Sequence, residues 1–113
     1  MIKVYGIKNC GSVKKALNFL EEHKIQYEFI DFKKTPPSQE ELELWLKTIP
    51  LTTLCNHKGT TYKKLGLKDK NLSQEEIKDY LLKEPTLIKR PVISTPNETI
   101  VGFDLEKYEK MQW

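Results

Sequence analysis

Between Tyr5 and Val13 the chain passes from a strand into a helix, and that passage constrains the fold more than any other feature. Ile2-Lys3-Val4-Tyr5 is a short run of branched and aromatic residues, the composition that suits a pleated strand. Gly6 breaks it. Val13, Ala16, Leu17 and Leu20 then recur at helical spacing, and Cys10 stands in the gap just ahead of that apolar stripe. His23-Lys24 closes the helix, and Gln26 to Phe32 supplies a second strand-like run. A strand, a helix and a strand in this order make a right-handed βαβ unit with parallel strands.

The chain changes character at Thr35-Pro36-Pro37. Ser38-Gln39-Glu40-Glu41 and Ser73-Gln74-Glu75-Glu76 each place a hydroxyl three residues before a carboxylate, the spacing that satisfies orphan amides reciprocally at a helix start. Leu42, Trp45, Leu46 and Ile49 share one face of the first helix, and Pro50, lacking an amide hydrogen, is its expected stop. Ile77, Tyr80 and Leu81 share a face of the second, with Pro85 as its stop. The stretch from Ser38 to Glu84 is therefore expected to be mostly helical. Pro91-Val92-Ile93, a turn at Thr95-Pro96-Asn97-Glu98, and Thr99-Ile100-Val101-Gly102 read as an antiparallel hairpin. Asp104 then caps a last helix that returns Leu105, Tyr108 and Met111 to one face.

This order is the α/β thioredoxin-like topology: a mixed four-stranded sheet with a helical insertion between strands 2 and 3. With 113 residues the expectation is one domain, residues 1–113, with its insertion at about 35–85. No run approaches the roughly 20 apolar residues that cross a bilayer, and the N-terminus lacks a signal-peptide pattern. A cytoplasmic chain without a membrane partner is expected. Its net charge of +3, from 19 basic and 16 acidic residues, is scattered along the sequence, which argues against direct nucleic-acid binding. No surplus apolar face remains once the helices are assigned to the core, so a monomer is expected.

Chemistry concentrates at Cys10. The first amides of a helix lack intrahelical partners, and the aligned peptide dipoles add partial positive charge, so a thiolate there is favoured over a thiol. Lys8, Lys14 and Lys15 are expected to push the same way. No cysteine stands at position 13, so the two-thiol loop of a Cys-x-x-Cys protein is missing and any disulfide needs another partner. In a thioredoxin-like fold a proline at the place of Pro91 is usually cis and faces the nucleophile. That would set Arg90 beside Cys10, where a guanidinium stabilises both a thiolate and an anionic substrate. Cys10 and Arg90 are thus the expected catalytic residues, with Lys8, Asn9, Gly11, Ser12 and Pro91 binding substrate.

Several segments carry a more specific signal together: Tyr5-Gly6-Ile7-Lys8-Asn9-Cys10 with Val13-Lys14-Lys15-Ala16, Asp31-Phe32-Lys33-Lys34, Gly59-Thr60-Thr61-Tyr62-Lys63-Lys64-Leu65, Ile88-Lys89-Arg90-Pro91, and Val101-Gly102-Phe103. On these the chain resembles the ArsC/Spx family, and within it the YffB-like branch, over nearly its whole length. The resemblance implies a thioredoxin-like fold with a helical insertion, Cys10 as nucleophile, and glutathione as co-substrate, with no tightly bound cofactor. It implies a small glutathione-dependent thiol oxidoreductase acting on a small thiol or oxyanion substrate, with glutaredoxin as a further partner. Arsenate reductases of the family use three arginines around the cysteine; here only Arg90 matches, with Asn56 and Phe103 at the other two places, which removes most of the fixed charge for an oxyanion. Arsenate reduction is the first alternative. Similarity to Spx-like members, which bind the RNA polymerase α subunit, gives the second, a transcriptional regulator.

Other residues read more plainly. Cys55 is expected to be a small core residue, with a resolving role toward Cys10 as the alternative. Cys10, His23, Cys55 and His57 lack the paired short spacings of a zinc site, so no metal is expected. Gly59-Thr60-Thr61 is expected to be a turn, Trp45 and Trp113 to pack, and Asp31 to be a surface carboxylate.

Overall fold

In the computed structural model, which describes residues 2–113, the opening strand lies inside a four-stranded sheet. β1 (Ile2–Gly6) sits between β2 (Tyr27–Asp31) and β3 (Val92–Ser94), and β4 (Thr99–Val101) completes the order β2-β1-β3-β4. β1 and β2 are parallel, with Val4 opposite Phe29. β3 runs antiparallel to both of its neighbours, pairing Ile93 with Val4 on one side and with Ile100 on the other. A parallel pair needs a crossover rather than a tight turn, and α1 (Gly11–Glu22) supplies it.

One face of α1 buries Val13, Ala16, Phe19 and Leu20. Ala16, Phe19 and Leu20 join Ile2, Val4, Ile93, Ile100 and Tyr108 in the core of the sheet. Tyr108 comes from α6 (Leu105–Lys110), capped by the Asp104 carboxylate, which accepts from the Lys107 amide. Its phenol donates to the Gly102 carbonyl at 2.8 Å, a buried bond that ties the last helix to the end of the hairpin. Gly102 itself has φ 83°, a left-handed conformation that costs glycine little. Trp113 packs on the same cluster and donates its indole N–H to the Tyr108 carbonyl. Leu105 departs from the expected face: it is 50% exposed. In a six-residue helix only Tyr108 lies squarely over the core.

Two compact units make up the chain: the segment up to Asp31 with Arg90–Trp113, which holds the whole sheet, and Phe32–Lys89. The second is helical, as its cap signals require. Ser38 and Ser73 both form complete capping boxes, opening α2 (Gln39–Leu46) and α5 (Gln74–Lys83). α2 ends at Leu46, and the chain continues to Ile49 as a tightened last turn in which the Lys47 and Thr48 amides donate to the Leu44 and Trp45 carbonyls, ahead of Pro50. Pro50 then opens α3 (Leu51–Leu54), its carbonyl accepting from Thr53 and Leu54. Gly59 closes the expected turn, its amide donating to the Asn56 carbonyl at 3.3 Å, and caps α4 (Thr60–Lys64), so Thr60 and Thr61 are helical rather than turn residues. The unit extends past Glu84 because a 3-10 turn at Pro85–Leu87 is followed by a bridge between Cys55 and Ile88, and Lys89 donates to the Leu54 carbonyl. Phe32, expected to end the second strand, belongs here and packs against Trp45.

The close approach of α1 to β1 depends on Gly6. A Cβ at that position would lie 2.7 Å from Val13 Cγ2, and Val13 is 1% exposed with nowhere to retreat. Gly6→Ala is expected to destabilise the protein by about 1–3 kcal/mol through overpacking, seen as a lower urea midpoint at unchanged slope.

Candidate active site

Cys10 occupies the N-cap position of α1, with extended backbone angles of φ −118° and ψ 124°. Its carbonyl accepts the first intrahelical bond, from Lys14 at 3.0 Å. Small N-cap side chains normally close a hydrogen bond onto the first-turn amides; the neutral Cys10 side chain does not. Those amides therefore remain available to an anion. No acidic residue stands in the first turn to oppose one.

The sulfur is half-buried. Burial alone pushes the thiol up, yet its pKa lies below the ordinary cysteine value. The Val13 amide, the Arg90 guanidinium as both hydrogen-bond donor and charge, and the Ser12 amide together outweigh desolvation. Lys8, Lys14 and Lys15 do not figure among the lowering groups. All three are exposed side chains, whose charge water screens. This corrects the expectation that the lysines share the work.

Arg90 is the only arginine in the chain, every other basic residue being lysine or histidine. That composition is a signal available without any structure: a lone guanidinium among lysines marks a place where a planar, permanently charged fork is needed. It immediately precedes β3, and the Arg90–Pro91 peptide is cis. Pro91 is buried, and its carbonyl accepts from the Gly102 amide at 2.8 Å, so this acceptor is engaged within the fold.

Of the remaining expected residues, Lys8 and Asn9 lie in the exposed turn between β1 and α1, and Gly11 and Ser12 are exposed in the first turn of α1. A Cβ placed on Gly11 would meet nothing within 4 Å, so the approach to the sulfur over this residue is open. Phe103, which the sequence resemblance set against one of three expected arginines, packs edge-on against Tyr108 at 5.2 Å. Asn56, set against another, accepts from the Lys58 amide through Oδ1 and lies in the helical unit. Neither supplies a charge.

Cys55 behaves in the opposite way to Cys10. It is 5% exposed, and burial raises its pKa with nothing set against it. Asp31 ends β2 and is partly buried rather than fully exposed.

Iodoacetamide at neutral pH should alkylate Cys10 fast and leave Cys55 intact until the protein is unfolded. In Arg90→Gln the Cys10 rate at neutral pH should fall several-fold and its pH profile shift upward, since one of the groups holding the pKa down is lost.

Comparison with known proteins identifies the family of the chain. Residues 5–111 match the ArsC family. A Haemophilus influenzae protein described as uncharacterized is 36% identical over 110 residues, covering 96% of each chain. A protein of Neisseria meningitidis serogroup A named arsenate reductase is 30% identical, covering 96% of this chain and 95% of its own. The solved structure of the YFFB protein superposes with a TM-score of 0.89 at 35% identity, covering 96% of each chain.

Proposed function

This chain belongs to the ArsC family, and on that premise we propose that it is a thiol oxidoreductase with Cys10 as nucleophile and glutathione as the second thiol. The observation that carries the reading is the state of the Cys10 sulfur. It is partly desolvated, yet its pKa lies below the ordinary cysteine value, because the first-turn amides of Val13 and Ser12 and the Arg90 guanidinium stabilise the anion by more than burial disfavours it. A thiolate is the attacking species in disulfide exchange, so every lowering of this pKa enlarges the reactive fraction.

The reaction balances with glutathione as reductant. The Cys10 thiolate attacks one sulfur of a disulfide, forming a mixed disulfide and expelling the other sulfur as thiolate. A glutathione thiolate then attacks that mixed disulfide, forming a new disulfide with the retained half and releasing Cys10. Arg90 serves both steps, since each begins and ends with negative charge on sulfur. No second cysteine follows Cys10 in its helix, so resolution by an outside thiol is the simplest route.

Arsenate reduction is a second reading, favoured by the similarity to a protein named arsenate reductase. Against it stands the charge available. A doubly charged oxyanion is normally clamped by several guanidiniums, and this chain has one. Glutathione with an organic disulfide should therefore turn over faster than glutathione and glutaredoxin with arsenate.

Incubation with oxidised glutathione followed by intact-mass analysis tests the proposal. A single glutathione adduct on Cys10 is expected, absent in Cys10→Ser and slower to form in Arg90→Gln. A protein that stays unmodified, or carries the adduct on Cys55 instead, would sink it.

A further inference from the structure

The helical unit holds a second concave site that the redox chemistry does not use. Its cavity has a volume of about 160 Å³ and lies among α4, the 3-10 turn Leu67–Asp69, the loop after that turn, and α5. The walls are apolar: Leu67 and Leu87 are buried, and Leu72 and Ile77 are partly buried. Cys55 also lines it. The mouth is different in kind, with Lys68, Lys70 and His57 exposed beside Tyr62 and Tyr80.

Lys68 and Lys70 at that mouth belong to a lysine-rich stretch of the chain. Between positions 56 and 71 stand five lysines, Lys58, Lys63, Lys64, Lys68 and Lys70, against one carboxylate, Asp69. Among the described residues none of the five is ion-paired. His57, Lys58, Lys63 and Lys68 line an adjoining hollow with Tyr62. Lys70 is held rather than free to wander: its Nζ lies 5.7 Å from the Tyr80 ring centroid and donates to the Tyr80 hydroxyl at 3.3 Å. His57 meets the Tyr62 ring edge-on at 5.0 Å. Two aromatic rings thus steady two nitrogen-bearing side chains over an apolar hollow.

We propose that this cavity binds a small organic anion, its apolar body among Leu67, Leu72, Ile77 and Leu87 and its carboxylate at Lys68 and Lys70. Size sets the class of ligand. The volume equals that of about five waters in the liquid and falls below the roughly 300 Å³ at which sites for drug-sized molecules begin. One ring or a short chain fits. Charge sets the rest, because an anion at the mouth gains charge-assisted hydrogen bonds from ammonium groups that have no carboxylate of their own.

Benzoate and benzyl alcohol are suitable probes, sharing a ring and differing in charge. Titrated into the full chain and followed by amide chemical shifts, benzoate should give saturable changes clustered at His57, Lys68, Lys70, Asn71 and Tyr80. It should bind roughly tenfold more tightly than benzyl alcohol, the margin of a charge-assisted hydrogen bond over a neutral one. Lys70→Gln, a change at an exposed side chain that leaves the fold intact, should erase most of that margin, and Leu72→Trp should abolish binding of both by filling the hollow. Equal affinity of the two probes, shifts that never saturate, or shifts confined to residues near Cys10 would each overturn the proposal. Should Leu72→Trp fail to fold, the Lys70→Gln comparison alone decides.

Discussion

A single contest of forces at the Cys10 sulfur underlies the rest of the structure. Burial drives a thiol toward its neutral form, and here the first-turn amides of Val13 and Ser12, with the Arg90 guanidinium, win against it. Each contributor reaches the sulfur by a different route through the fold. The amides are there because Cys10 caps α1. The guanidinium is there because β3, which comes directly after Arg90-Pro91, pairs beside β1. The helix can start so near the end of β1 because Gly6 has no side chain to strike Val13.

The two cysteines show how little the residue type itself decides. Both are partly or wholly removed from water, yet one is shifted toward the anion and the other away from it. Cys55 has only burial acting on it, in a bridge with Ile88 that fixes the edge of the helical unit. A thiol so placed is a packing group with a weak donor. The residue lines the cavity for which we propose an organic anion, a chemistry distinct from thiol exchange.

Stability follows a similar division of labour. The sheet unit is held by apolar packing of α1 and α6 on β1, β3 and β4, with the buried Tyr108 to Gly102 bond tethering the last helix to the hairpin. The helical unit relies more on local signals. Two capping boxes, a proline-led α3 and a glycine-led α4 start its helices one after another. Phe32, Leu42, Trp45, Leu54, Leu81 and Ile88 form its buried core, and the amides of Asn56 and Lys89, donating to the Leu87 and Leu54 carbonyls, tie its last segment to the end of α3.

Local chemistry made much of this legible in the sequence. Periodicity placed the strands and helices, the Ser-x-x-Glu pairs placed two helix starts to the residue, and the position of Cys10 ahead of an apolar stripe announced an anion site, because each of these depends on neighbours in the chain. Features that depend on distant neighbours were not legible. Charges close in sequence, at Lys8, Lys14 and Lys15, sit on exposed side chains and do not figure among the groups that lower the Cys10 pKa, since water screens a side chain that points outward. Arg90, far along the chain, took their place once strand pairing carried it in. The lysines between 56 and 71 are close neighbours in the sequence, but only the fold decides that Lys68 and Lys70 line the apolar cavity while Lys58 and Lys63 line the hollow beside it. Sequence determined which main elements form and which sulfur stands at a helix start; tertiary structure decided which charges that sulfur and that hollow see, because electrostatic partners are chosen by distance in space.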